Sequence, residues 1–207
     1  MKLLLTSVFT KTADQLSEIL SAPPKELTVA FVPTAADIYD DKWFVGADRA
    51  KLVEMGFNVF DLSLKGKTME AVEEALDKTD IIFVAGGNTF YLLEQARASG
   101  FIDLVPKLVE RGVIYIGSSA GSYLACPTIE VATWKHQDRN AVGLTDFTAL
   151  GLVPFLMSVH YKPEYKNILK QHMVQAKYQV KILTDDQAVL VIDNNYQLVG
   201  KGGEVRL

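Results

Sequence analysis

The chain is poor in the residues that hold many small proteins together: it has one cysteine, Cys126, and only three histidines among 207 residues. A single cysteine excludes an intrachain disulfide framework and a cysteine-rich zinc site, and it suits a reducing cytosol. No basic run exceeds two residues, and 21 Lys and Arg against 25 Asp and Glu leave a formal net charge of -4. Without the electrostatic footprint of a nucleic-acid binder, nucleic acid is not an expected partner. The apolar run within Met1 to Phe9 is too short for a bilayer span or a signal core and lacks a small-residue cleavage site. It is expected to be a buried strand of a cytoplasmic protein with no membrane association. Internal repeats, low-complexity tracts and Pro/Gly/Ser linkers are also missing, so residues 1–207 are expected to form one domain. With 49% hydrophobic and 22% charged residues, disorder and coiled coil are excluded.

What is present is an alternation of short apolar runs with stretches of helical spacing. Strands buried on both faces read as continuous apolar runs, which predicts strands at 2–9, 27–33, 58–64, 80–85 and 113–117. Helical spacing falls at 11–21, 42–55, 67–78, 89–98 and 101–111. This order predicts an α/β fold: an open, mostly parallel sheet flanked by helices, with its ligand crevice at the carboxyl ends of the strands. Beyond residue 127 the pattern predicts a loop over 134–146, a strand near 153–160 and a helix opening at Pro163 and reaching about Tyr178. Runs at 180–184, 187–193 and 196–200, with Asn194-Asn195 as a two-residue turn, predict a C-terminal β-meander on one sheet edge.

The strongest chemical signal is Gly117-Ser118-Ser119-Ala120-Gly121, a Gly-x-Ser-x-Gly placed after an apolar strand and before a helix-compatible run. A nucleophile elbow needs this pattern, because a sharp strand-to-helix turn lifts the central hydroxyl out and leaves no room for side chains two residues away. Ser119 is therefore the candidate nucleophile, and the Ala120 amide points at a developing oxyanion. A second strand-turn-helix, Gly86-Gly87-Asn88-Thr89, offers backbone amides for the same oxyanion or for substrate. It lacks dinucleotide-fingerprint spacing and a Walker lysine. The bland alternatives are a Gly/Ser-rich turn and a helix cap at Asn88 or Thr89.

A serine needs a base. His136 lies in the polar loop and His172 within a helix, whereas His160 ends an apolar run where α/β sites gather, so His160 is the candidate base. Cys126 reads as a small core residue. Asp37, Tyr39, Asp40, Asp41 and Trp43 line the crevice or form a solvated loop.

These residues resemble the serine peptidases that include peptidase E (aspartyl dipeptidase) and cyanophycinase. The resemblance rests on Gly86 to Phe90, on Ile116 to Gly121, on Leu124 to Ile129, and on Leu152 to Phe155 leading to His160-Tyr161. It implies a fold similar to class I glutamine amidotransferases, a nucleophile at Ser119, a base at His160, and an oxyanion hole from the Gly86-Gly87 turn with Ala120. In two places the chain departs from the aspartyl dipeptidases. Their third triad member aligns with Trp134, so the carboxylate is sought in Glu130, with Asp138 in reserve. The Arg-bearing segment that would recognise an Asp side chain is missing.

The expectation is a serine peptidase acting on short, unstructured peptides through an acyl-enzyme, without strict P1 Asp preference and with no metal or organic cofactor. Monomer and homodimer both stay open. The alternatives are an α/β-hydrolase-type esterase, for which a His only 41 residues after the Ser is awkward, and a non-catalytic binding module of the same fold.

Overall fold

The computed structural model describes residues 1–193 and 195–207. Five parallel strands, β1 (Lys2–Thr6), β2 (Thr28–Val32), β3 (Asn58–Asp61), β4 (Ile81–Val84) and β5 (Ile114–Ser118), are joined by β8 (Gln187–Ile192) and β9 (Asn195–Gly200) into a seven-stranded sheet of order β3-β2-β4-β5-β1-β8-β9. Only β8 and β9 run antiparallel to their neighbours. The helices α1 (Phe9–Thr12), α2 (Trp43–Glu54), α3 (Met69–Leu76), α4 (Thr89–Ala98), α5 (Phe101–Glu110), α6 (Ala120–Leu124) and α7 (Lys166–Met173) complete the layers.

Alternation along the strands feeds two cores. Leu3, Leu5, Ile82, Val84 and Tyr115 pack into one, while Leu4, Ile81, Phe83, Ile114 and Ile116 pack into the other. Phe83 anchors the second core, with Phe9 edge-on at 4.8 Å and Phe31 stacked at 5.1 Å. Both faces being apolar explains why the strands read as unbroken hydrophobic runs.

The C-terminal part differs from the meander expected above. Only β8 and β9 form an antiparallel hairpin on the sheet. The run at 180–184 becomes β7 (Val180–Ile182), which leaves the main sheet and pairs in parallel with β6 (Leu156–Ser158). Ile192 pairs with Asn195, so Asn195 belongs to β9, and the other residue of the expected turn, Asn194, lies outside the described residues. The helix expected over 11–21 gives way after Thr12 to a 3₁₀ segment, Ala13–Glu18, where the Ser17 hydroxyl bonds the Asp14 carbonyl in place of a helical ladder. Likewise the helix from Pro163 opens as a 3₁₀ turn and ends as α7 at Met173.

Candidate active site

The carboxyl ends of β4, β5 and β1 lie side by side and carry Gly86, Ser119 and Ser7 respectively. Ser119 sits between β5 and α6 with φ 51° and ψ −106°, a strained backbone for a residue with a side chain. The flanking glycines are sterically obligatory. A Cβ on Gly117 would stand 2.6 Å from the Gly121 backbone, and one on Gly121 would stand 2.1 Å from the Val84 carbonyl oxygen. The turn is pinned by the Ser119 amide donating to the Thr6 carbonyl at 3.0 Å and by the Ser122 hydroxyl donating to the same carbonyl at 2.8 Å.

His160 follows β6 and has a positive φ of 56°. Its Nε2 lies 2.9 Å from Ser119 Oγ and its Nδ1 2.6 Å from Asp185 Oδ1. Ser7, on the turn after β1, ties this pair together. Its Oγ accepts the His160 backbone N–H at 2.9 Å and donates to Asp185 Oδ1 at 3.1 Å. Burial alone would raise the Asp185 carboxyl. The hydrogen bond and charge of His160, the Ser7 hydroxyl and the Lys11 ammonium together outweigh it and hold the carboxyl below its ordinary value.

Glu130, expected as the third member, does not occupy that place. It opens the 3₁₀ turn Glu130–Thr133 through its backbone groups, while the imidazole nitrogen it was expected to meet is taken by Asp185. The physical reason is strand order. Because β7 runs parallel to β6, with Ser158 opposite Ile182, the chain beyond each strand emerges at the same end and delivers His160 and Asp185 to one point. Asp138, the reserve, accepts from the Thr89 amide at 2.9 Å and the Thr89 hydroxyl at 2.5 Å, which caps α4. Burial raises its carboxyl.

Asn88 is also corrected. Its Oδ1 accepts from the Tyr91 amide at 2.9 Å and its Nδ2 donates to the Arg139 carbonyl at 3.0 Å, so both ends of the amide serve as cap and tether. Gly86 and Gly87 do line the cavity beside Ser119. Among the described residues the amides of Gly86, Gly87 and Ala120 meet no acceptor, which leaves them available to an oxyanion. Trp134, at the aligned third position, is buried and stacks on His172 at 5.2 Å, a packing role. Cys126 is buried and its thiol is pushed up to about 12, which makes it inert.

The cavity has a volume of about 460 Å³. Besides the groups above it is lined by Tyr39, Trp43, Phe44, Asp48 and Lys135. Buried Lys135 donates from Nζ to the Val159 carbonyl, next to His160, and desolvation lowers its ammonium to about 8. Sequence reasoning missed Asp185, Ser7, Asp48 and Lys135. Asp185-Asp186 after a short apolar run was a usable signal, but only with β7 parallel to β6. Ser7 could be found as the residue just past the first strand. Asp48 was detectable as a carboxylate on the apolar face of the helix over 42–55, and nothing local marked Lys135.

A Ser, His and carboxylate joined in this order on a parallel α/β sheet define a serine-type hydrolase. The chain belongs to peptidase family S51, whose match extends over residues 3–199, and is a serine-type peptidase. It is 30% identical over 167 residues to an uncharacterized peptidase of Listeria monocytogenes, covering 79% of this chain and 82% of that protein. It is 37% identical over 139 residues to peptidase E of Salmonella arizonae, covering 65% of this chain but only 55% of that enzyme. The solved structure of a peptidase E-type protein of Listeria monocytogenes EGD-e superposes with a TM-score of 0.86 at 29% identity, covering 97% of this chain and 98% of that one. Among the described residues no helix is long and apolar enough to cross a membrane.

Proposed function

We propose that the chain hydrolyses short peptides through an acyl-enzyme on Ser119, with His160 as general base and then general acid and Asp185 orienting the imidazole. The observation that carries this reading is the continuous relay from Ser119 Oγ through both ring nitrogens of His160 to Asp185, at 2.9 and 2.6 Å. Asp185 accepts from Nδ1–H, which leaves Nε2 free to take the Ser119 proton as Oγ attacks the scissile carbonyl. The oxyanion then forms against the free amides of Ala120 and the Gly86-Gly87 turn, fixed dipoles that need no rearrangement. On collapse, His160 returns its proton to the leaving amine, and a water activated by the same nitrogen releases the acyl group.

A cavity of this size, with exposed Trp43 on its wall, suits a few residues of extended peptide. Among the described residues no arginine lines it, and Lys135 is committed to the Val159 carbonyl, which fits a peptidase without strict P1 Asp preference. In a mixed dipeptide library, wild-type protein is expected to cleave many sequences and Ser119→Ala none. Retained turnover by folded Ser119→Ala, or cleavage of Asp-X dipeptides alone, would overturn the corresponding part of this reading.

A further inference from the structure

One carboxylate in the cavity has no part in the relay. Asp48 lies on α2 one turn after Phe44 and one turn before Leu52, on the helix face turned to the sheet. It is only 5% exposed, yet it lines the same cavity as Ser119 and His160. Its immediate partners are neutral: the Ser118 hydroxyl and the Thr10 backbone. Among the described residues no cation pairs with it. On the elements packed against α2, Lys11 of α1 bonds Asp186, and Asp61 of β3 is taken by Arg49 of α2 itself. Across the cavity, Lys135 is committed to the Val159 carbonyl and faces Asp138 and Asp185.

Burying a carboxylate without a cation is costly, and the same cavity carries the apolar and aromatic side chains of Val8, Tyr39, Trp43, Phe44 and Ala47. An entering cation would find there both its counter-charge and an aromatic wall. Asp48 stands close to the reacting serine, since its hydroxyl partner Ser118 immediately precedes Ser119. The order β4-β5-β1 sets Gly86 and Ser7, the anchor of His160, on opposite sides of Ser119. The leaving amine must face His160. Phe44, one turn before Asp48, borders Gly86, where its ring would stand 3.9 Å from a Cβ on that glycine, whereas Thr10, whose backbone meets Asp48, follows Ser7 after β1, so α2 reaches both sides of Ser119.

Resting on the peptidase reading above, we infer that Asp48 is a specificity-determining residue: the counter-ion for a cationic group of the peptide bound beside Ser119. That cation is either the α-ammonium of an N-terminal residue or the side chain of Lys or Arg.

Two pairs of dipeptides separate these sources. Norleucyl-alanine against its N-acetyl form tests the α-ammonium, and N-acetyl-lysyl-alanine against N-acetyl-norleucyl-alanine tests the side chain. One pair is expected to show a kcat/KM ratio of about tenfold or more in favour of the cation at pH 8, and Asp48→Asn is expected to bring that ratio toward one. Taking ratios at a single pH cancels any pH effect on the catalytic relay, which both substrates share. In wild type the ratio is expected to fall as pH drops through about 7, where burial places the Asp48 carboxyl and the protonated group ceases to be a counter-ion. The ratios and their pH response in wild type decide the matter even if Asp48→Asn folds poorly, and an uncharged fluorophosphonate reports whether that variant keeps an intact elbow. Ratios near one for both pairs, or a ratio unaltered by Asp48→Asn, would overturn the inference while leaving the peptidase reading in place. Absence of both labelling and hydrolysis in wild type would overturn the two together.

Discussion

Asp185 and Glu130 are the two carboxylates between which chemistry must choose, and they differ in what loss of charge does. Asp185→Asn preserves the volume but lets the side-chain amide N–H donate a hydrogen bond to an unprotonated Nδ1, which stabilises the wrong tautomer. It is expected to lower kcat by a factor on the order of 10⁴ with KM little changed. Glu130→Gln, by contrast, should leave steady-state kinetics within about twofold, since its carboxylate contributes no bond to His160. The reverse outcome would restore Glu130 to the triad. Ser7 is a positioning residue, because its hydroxyl fixes both the His160 amide and the Asp185 carboxylate. Losing a hydrogen bond to a charged group costs about 1.5 to 3 kcal/mol, so Ser7→Ala should reduce kcat by roughly 10- to 100-fold, again with KM nearly unaltered. At this scale the positions of Ser119, Gly86 and Gly87 could be read because each follows an apolar strand in a glycine-marked turn, and that of His160 because it ends an apolar run. Asp185 was not, because its partner is reached through strand pairing rather than sequence proximity.

The elbow shows how an element constrains its own sequence. Gly121 packs against the Val84 carbonyl with no space for a methyl group, so Gly121→Ala must push α6 off β4. The variant is expected to lose about 3 kcal/mol or more of stability, read from urea unfolding, and to stop labelling at Ser119. Gly46 provides the control. It lies exposed within α2 with open space where a Cβ would go, so Gly46→Ala should stabilise by about 0.5 to 1 kcal/mol. Equal effects of the two substitutions would contradict the steric account. Strands β1 to β5 were readable because burial on both faces removes polar residues from them. The strand β7 misled because a three-residue segment, Val180-Lys181-Ile182, carries no information about its partner: beside β8 it would be a meander, and beside β6 it sets one end of the triad.

Over the whole molecule, the buried carboxylate of Asp48 makes folding depend on pH in a defined sense. Burial raises it from 3.8 to about 7 in the folded state. Between those values the folded chain holds one proton more than the unfolded chain, so stability falls as pH rises from about 4 to about 7 and is flat above that. The loss attributable to this group is on the order of a few kcal/mol. Asp48→Asn removes it. The gap in urea midpoint between variant and wild type should therefore be small near pH 4.5 and widest, in favour of the variant, at pH 8. A gap independent of pH would show that Asp48 is not buried as a proton-binding group. Together with the substrate test, this weighs what the carboxylate costs the fold against what it gives the site.

Mapping the covalent adduct left by a fluorophosphonate tests Ser119 as the acyl-bearing nucleophile most directly. One adduct per chain on Ser119, forming in step with the loss of peptide hydrolysis and slowed by Asp185→Asn, is the expected result. Full modification of Ser119 with hydrolysis undiminished, or an adduct on another residue, would contradict it.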